Sequence, residues 1–393
     1  MKVGYLHIGL SQAQESGVTR YGRLMAAEAR QRVDLDVIER SLVLGGDRSQ
    51  NRRLISKAAQ FIAKAEVVHL QYSKYVWGRS WDQLSYLKRF INQCPRPFIV
   101  TLHDIYPKLY PAYGPLTALI QENYQQRQYS RFTSWALRST ARSFWSNYLA
   151  DHWTLRWLLH QAATILVCTQ VEKRRLNHFA KSSRVTVLPH FVEQRGAAIN
   201  PLQAKAGLGL EAFRVITLQG FIYPGKGHQL MIEALPELPQ DVKVIFAGGP
   251  SPGSESYLEG LRELSESRGV GDRLQITGYL SADKLEQYLM ASDLAICPFE
   301  TLSASGSLST WISLARPILC SDLPQIAEYN QLAPGAIKTF RPYTASALAK
   351  AIQDCLQSRC NYDDSALIRL RERLLMPGIF DQHLNLYRCA MNT

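Results

Sequence analysis

The chain lacks the cysteine spacing of a metal knuckle or a disulfide framework. Its seven cysteines (Cys94, Cys168, Cys297, Cys320, Cys355, Cys360 and Cys389) are scattered, and no Cys-x-x-Cys occurs. Several sit inside apolar stretches, which reads as reduced core thiols in a cytoplasmic protein, with no metal expected. No apolar run is long enough to cross a bilayer. No basic–apolar–small leader opens the chain, since Met1-Lys2-Val3-Gly4-Tyr5 leads straight into strand-like residues. There is no low-complexity tract and no repeat beyond a strand–helix rhythm. Acidic residues are scarce in one half only. Residues 1–199 hold 28 Lys and Arg against 13 Asp and Glu, whereas residues 200–393 hold 17 against 20. The whole net charge of +12 therefore originates in the first half. Such a surplus suits an anionic partner (a lipid surface, a lipid-phosphate acceptor or an acidic polymer), and it equally suits plain solubility.

What is present is the composition of a globular protein, 46% hydrophobic and 20% charged over 393 residues, a length that favours two domains. Apolar, β-rich segments alternate with helical ones. Strands are predicted over Lys2–Ile8, Val33–Glu39, Val67–Tyr72, Phe98–His103, Thr164–Thr169 and Val185–His190. Helices are predicted from Gly17, over Ile55–Ala65 and Trp81–Asn92, and from Val171 to Phe179. Alternation of this kind predicts parallel, doubly wound sheets. Glu193–Gly209 is irregular and polar, so it reads as a linker. The expected domains are 1–195 and 210–375, followed by a C-terminal helix over 376–393 that crosses back to the first domain. The break between the last two helices is expected at Pro377-Gly378.

The second half carries a series of strands that end in glycine. Arg214-Val-Ile-Thr-Leu-Gln-Gly220 leads into Phe221-Ile-Tyr-Pro-Gly-Lys226-Gly227 and a helix from about His228. A second strand ends in Gly248-Gly249 and a third at Gly278. Leu294-Ala-Ile-Cys-Pro298 leads into Ser303-Ala-Ser305-Gly306-Ser307, which opens another helix. Strand ends that feed helix N-termini make anion sites, because unpaired N–H groups and the helix dipole face the ligand.

In order and spacing these motifs resemble the retaining glycosyltransferases of the GT-B fold, glycosyltransferase family 4 in particular. Gly17-Val18, Val68-His69, Leu102-His103-Asp104, the Cys168-Thr169 strand with its Arg175-Leu helix, and Leu188-Pro189-His190 resemble that family's first domain. Gly220 through Lys226-Gly227, Pro298, Pro317 and Ser321-Asp322 through Glu328 resemble its second. Phe221 stands where the family has an arginine, and Leu302 and Thr310 stand where it has a Glu-x7-Glu pair. The loop instead resembles a branch with a Ser-x-Ser-Gly donor loop.

The resemblance implies two Rossmann-like domains facing a cleft. It also implies metal-independent transfer of a hexose from GDP-mannose or a UDP-hexose to a glycan or lipid-linked saccharide. Lys226 would hold the β-phosphate, the amides of Ser305, Gly306 and Ser307 would hold the diphosphate, and Ser303 would bind the donor from the same loop. Gly17, Gly220, Gly227, Gly248 and Gly278 would let backbone approach the donor. Tyr279 would line the base pocket or pack in the core, Thr310 would reach the ribose, and His103 would contact the transferred sugar. Asp104 would orient His103 or cap the next segment. Asp34-Leu-Asp36 formally matches a metal motif of another transferase fold, but it lies in an early strand of the wrong organisation. Tyr124–His160 interleaves Arg127, Arg131, Arg138, Arg142 and Arg156 with Trp135, Phe144, Trp145, Trp153 and Trp157. That stretch fits ordinary packing helices, an acceptor cleft or a peripheral position on the inner face of a membrane. No nucleic-acid module is recognisable. Two further readings stay open: a non-catalytic partner that binds nucleotide sugar, and another reaction on this fold such as epimerisation.

Overall fold

The computed structural model describes residues 1–9, 16–74, 76–105, 149–177, 182–195, 199–303, 305–357 and 365–392. Two compact units divide the chain: Met1–Pro189 with Phe380–Thr393, and His190–Ile379.

The first unit is built on β1 (Lys2–Gly9), α1 (Gly17–Arg30), β2 (Asp36–Val43), α2 (Arg48–Ile62), β3 (Val67–Tyr72), α3 (Trp81–Gln93) and β4 (Phe98–Leu102). These are followed by α4 (Ala150–Gln161), β5 (Thr164–Val167), α5 (Gln170–Leu176) and β6 (Val185–Val187). All its strands pair in parallel, in the order β2-β1-β3-β4-β5-β6. Side chains alternate across a strand, so one set buries against α2, α3 and α4: Leu6, Ile8, Leu70, Val100, Ile165 and Val167 belong to that core. The helix starts follow capping chemistry. Ser16 caps α1, Asp47 caps α2, and Thr169 with Glu172 forms a capping box on α5.

The second unit contains α6 (Pro201–Ala206), β7 (Arg214–Gln219), α7 (His228–Ala234), β8 (Val242–Ala247), α8 (Glu255–Ser267), β9 (Leu274–Ile276), α9 (Ala282–Met290) and β10 (Leu294–Cys297). It continues through α10 (Gly306–Ser313), β11 (Ile318–Ser321), α11 (Pro324–Leu332), β12 (Lys338–Phe340), α12 (Ala345–Gln357) and α13 (Ser365–Leu374). Its sheet is again parallel, ordered β12-β11-β10-β7-β8-β9. Both faces are covered. Ile216, Leu218, Val244 and Phe246 join one core, while Val215, Ile245 and Ala247 join another. The chain runs from β7 outward to β9 and returns on the other side of β7 as β10. The carboxyl ends of β7 and β10 therefore flank a topological switch point, where open α/β sheets hold their ligands.

The structure corrects the expected boundaries in several places. Val33–Glu39 is not a strand throughout: residues 31–35 form a turn, Val33 is fully exposed, and β2 starts at Asp36, whose amide donates to the Met1 carbonyl (2.9 Å). Asp34 thus lies outside the strand, with its carboxylate on Arg388 (2.9 Å). The two units divide at Pro189–His190, before the stretch expected to be a linker. Phe191 and Val192 are buried, and Val192 exchanges backbone hydrogen bonds with Leu374 (2.8 Å) and Met376 (3.0 Å). Residues 201–206 of that stretch form α6. Pro377-Gly378 does not break a helix; it lies in the first turn of α14 (Met376–Met391), where a missing N–H costs nothing.

Candidate functional site

The loops that follow β7 and β10 are fastened together. Gly227 has φ 92°, and a Cβ placed on it would lie 2.0 Å from the Pro298 carbonyl oxygen, so only glycine fits. The Glu300 amide donates to the Gly225 carbonyl (2.9 Å), and the Tyr343 hydroxyl donates to the Pro298 carbonyl (2.9 Å). On the other side of β7, a Cβ at Gly248 would lie 2.2 Å from the Gly220 carbonyl oxygen. These close approaches set the backbone around one side chain.

That side chain is Lys226. It is buried, and its Nζ donates to the Gln219 main-chain carbonyl (2.7 Å). A Cβ at Gly220 would sit 2.7 Å from this Nζ and 3.9 Å from the Ser307 Cβ. Gly220, Lys226 and Ser307 are therefore brought to one point. The Tyr223 ring lies 5.8 Å from the ammonium. Burial pulls the Lys226 pKa down to about 8, because desolvation penalises the charged form and the nearby Cys297 offsets it only in part. His228 opens α7 beside it, buried edge-on against Phe246 at 4.7 Å. Burial first, and the Lys226 charge second, hold this imidazole well below its usual pKa. Neither His228 nitrogen nor the Gln219 side-chain oxygen has a hydrogen-bond partner among the described residues. These unpaired polar atoms lie beside the Lys226 ammonium.

The N-terminus of α10 lies at this point. Ser305 is its N-cap, accepting from the Leu308 amide (3.2 Å) and paired with the Ser307 hydroxyl (3.1 Å). Ser303 is buried just before it, and Ala304 lies outside the described residues. Thr310 donates its hydroxyl to the Gly306 carbonyl (2.8 Å), which spends its proton inside the helix. Gly278, at φ 70°, ends the β9 segment, and Tyr279 next to it is half exposed. Its ring meets Phe221 edge-on at 6.2 Å, and its hydroxyl donates to the Pro250 carbonyl. Phe221, where an arginine was expected, is thus part of an aromatic pair that brings no charge. Glu328 lies partly buried on α11.

Sequence reasoning missed Pro298 as the lock on Gly227 and Gln219 as the acceptor for Lys226. Pro298 was visible only as a motif proline and Gln219 not at all, because each acts through its main-chain carbonyl. It also treated His190 as a strand end only. His190 is buried, with Nδ1 2.7 Å from the Phe191 carbonyl and 2.9 Å from the Ser309 hydroxyl, under α10.

The first unit holds the other expected residues. Gly17 is the first residue of α1, and a side chain there would meet nothing within 4 Å among the described residues. His103 follows β4, buried, with Nε2 2.8 Å from Gln71 Oε1 and its ring edge-on to Tyr21 at 4.9 Å. Asp104 does not orient His103. It accepts from the Lys74 amide (2.9 Å) and the Ser73 hydroxyl, fastening the segment after β3, and burial raises its pKa. His69 is core: Nδ1 lies 2.7 Å from the Tyr387 hydroxyl and Nε2 2.8 Å from the Thr101 hydroxyl. Of the basic aromatic stretch, residues 124–148 lie outside the described residues; Trp153 and Arg156 are exposed on α4. Among the described residues, no cluster of His, Cys, Asp or Glu is arranged to hold a metal ion.

Residues 213–358 match the family described as Glycosyl transferases group 1. The D-inositol 3-phosphate glycosyltransferase of Mycolicibacterium gilvum is 30% identical over 147 residues, 36% of this chain and 33% of that protein. The GDP-mannose-dependent alpha-(1-6)-phosphatidylinositol monomannoside mannosyltransferase of Mycolicibacterium smegmatis is 26% identical over 170 residues, 41% of this chain and 42% of that protein. The alignments thus span a third to two fifths of these relatives, and the family match lies within the second unit. In structure the chain is similar to Anabaena HepE, solved in complex with UDP-glucose, with TM-score 0.71 and 15% identity over 99% of this chain and 100% of that one. This likeness shows a GT-B fold.

Proposed function

We propose that the protein is a retaining glycosyltransferase of the family 4 type. It moves a hexose from a nucleotide diphosphate sugar to a glycan or lipid-linked saccharide acceptor. The observation that carries this reading is Lys226, a buried ammonium in a glycine-lined turn at the switch point, level with the N-terminus of α10. Breaking a sugar–diphosphate bond places negative charge on the leaving phosphate, and preorganised donors in a water-poor site stabilise it. Lys226 would hold the β-phosphate, with the amides of Ser305, Gly306 and Ser307 on the diphosphate and Gly220, Gly227 and Gly248 giving room for it. The acceptor hydroxyl oxygen forms the new bond to the anomeric carbon as the bond to phosphate breaks, and the leaving phosphate takes the hydroxyl proton. No metal is needed in this scheme, since the ammonium and helix N-terminus carry the charge work. Gly278 and Tyr279 would border the base, Ser303 and Thr310 the donor loop, and His103 the transferred sugar, as the resemblance implies.

The donor is a UDP-hexose or GDP-mannose. HepE, similar in fold, is solved with UDP-glucose, and a relative matching over two fifths of its length is named for GDP-mannose. The test is nucleotide release from a panel of UDP-, GDP-, ADP- and dTDP-sugars, with and without EDTA, using wild type and Lys226→Ala. Release from one donor, retained in EDTA and lost in the variant, supports the reading. Phe221 in place of arginine favours a second reading, a partner that binds nucleotide sugar without turnover. A donor-specific rise in melting temperature with no release under any acceptor would establish that one.

A further inference from the structure

We propose that the outer surface of α2 and α3 is a docking face for an anionic lipid bilayer. The observation is a shallow basic groove between these two helices, lined by Arg48, Arg52, Arg53, Lys57, Lys88 and Arg89. No aspartate or glutamate occurs from residue 48 to residue 65. Asp47 and Asp82 sit at the N-terminal ends of the two helices, and Glu66 follows the acid-free stretch: Asp47 caps α2, and Asp82 pairs with Arg48 at 3.0 Å.

The α2 helix buries Ile55, Ala58, Ala59 and Ile62 against the sheet and turns its cationic positions to solvent. Farther along the same helix Phe61 is 41% exposed, with the Arg40 guanidinium 5.7 Å and the Lys64 ammonium 5.6 Å from its ring centre. An exposed apolar ring between two cations matches the region where acyl chains meet phosphate headgroups. The α4 helix packs beside α3 and adds exposed Trp153 and Arg156.

The geometry favours a surface over a compact anion. A phosphate pocket needs buried, converging donors, whereas these cations, all but the half-buried Arg89, are exposed and spread over two helices; the Arg48 side chain is 74% exposed. An extended sheet of negative headgroups engages all of them at once. Each Lys or Arg held near such a surface strengthens binding by roughly fivefold, and the attraction fades within a Debye length. This inference does not depend on transfer chemistry, because it concerns a face made only of the first unit's helices.

The experiment is co-sedimentation of the full chain with vesicles of phosphatidylcholine alone and of phosphatidylcholine mixed with phosphatidylglycerol. Three proteins are compared: wild type, Arg52→Glu/Arg53→Glu/Lys57→Glu, and a control of equal net charge, Arg262→Glu/Arg268→Glu/Arg369→Glu. All six positions are solvent-exposed, so folding is retained, and melting curves verify it. The expected result is binding to the mixed vesicles only, released by about 0.5 M salt. The α2 triple variant should then bind on the order of a hundredfold more weakly, and the control like wild type. Absence of wild-type binding to the mixed vesicles overturns the proposal, as does equal loss in both variants, which would reduce it to net charge. Retention on an immobilised acidic polysaccharide without vesicle binding overturns it in favour of a soluble polyanion. Nucleotide release measured on the same samples shows independently whether the transferase reading holds.

Discussion

The Pro298 carbonyl oxygen stands 2.0 Å from where a Cβ of Gly227 would be, so the two loops at the switch point meet with no room for a side chain between them. This contact, to which the Pro298 ring also contributes (Cγ 2.5 Å from the same point), holds the turn that carries Lys226. Gly227→Ala must move one loop and also place alanine at φ 92°. A strained backbone position costs on the order of 1–3 kcal/mol, so the melting temperature should fall by several degrees and donor binding should be lost. Gly260 is the control. It lies within α8 with open space around it, and Gly260→Ala should leave the melting temperature unchanged or raise it. Equal effects of the two substitutions would contradict the lock.

Lys226→Met should reduce donor turnover by about a hundredfold to a thousandfold, the usual loss when one preorganised donor to a developing anion is removed. Stability should move the other way. In the folded protein the lysine pKa is drawn down to about 8 from its unfolded value, so the fold carries a penalty below pH 8 that fades as pH rises through the unfolded value. Removing the amine lifts that penalty, and calorimetry near pH 7 should show Lys226→Met melting higher than wild type without ligand.

Binding of a diphosphate should pull a proton onto Lys226. Nucleotide affinity is therefore expected to weaken as pH rises through about 8, where the free amine loses its charge. Titration calorimetry in two buffers of different ionisation enthalpy reads this proton uptake directly. A flat affinity profile from pH 7 to 9 would mean that the ammonium is not on the phosphate.

The buried histidines predict an acid limit. Burial holds His69 and His228 well below the usual range. The unfolded chain binds protons at these sites below about pH 6.5 while the folded one does not, so stability falls as pH drops from there. Tyr387→Phe should add about 1–3 kcal/mol of destabilisation, because it strips the His69 Nδ1 of its 2.7 Å partner in the core. Denaturant melts at pH 7 and pH 5 check both statements.

Tyr279 and Thr310 separate two kinds of site residue. The Tyr279 ring is half exposed beside Phe221, so Tyr279→Ala should weaken nucleotide binding by roughly twofold to tenfold if it borders the base. Thr310 already spends its proton on Gly306, so Thr310→Val should alter donor affinity by less than about threefold. Isothermal titrations with the donor identified by the release panel distinguish them.

Periodicity made much of the fold legible. Val67–Tyr72 and Trp81–Gln93 stand where their apolar spacing put them, since each buries a set of residues that the sequence displays. Val33 misled because it is apolar yet exposed, in a turn that only the pairing of Asp36 beside Lys2 defines. The Glu193–Gly209 stretch misled in part because its polar residues include a helix start, with Asn200 capping α6. Pro377 misled because a proline ends a helix or begins one, and the local sequence does not distinguish these.

The sequence by itself determined two alternating strand–helix series, the glycines at their strand ends, and a lysine among them, because these depend on neighbours a few residues apart. The tertiary structure decided which carbonyl meets Lys226, that burial lowers its pKa, that Pro298 forbids a side chain at Gly227, and that Thr310 turns its hydroxyl inward. Those properties arise from main-chain atoms and solvent exclusion brought together across the β7–β10 switch. No residue type encodes them until the sheet has formed.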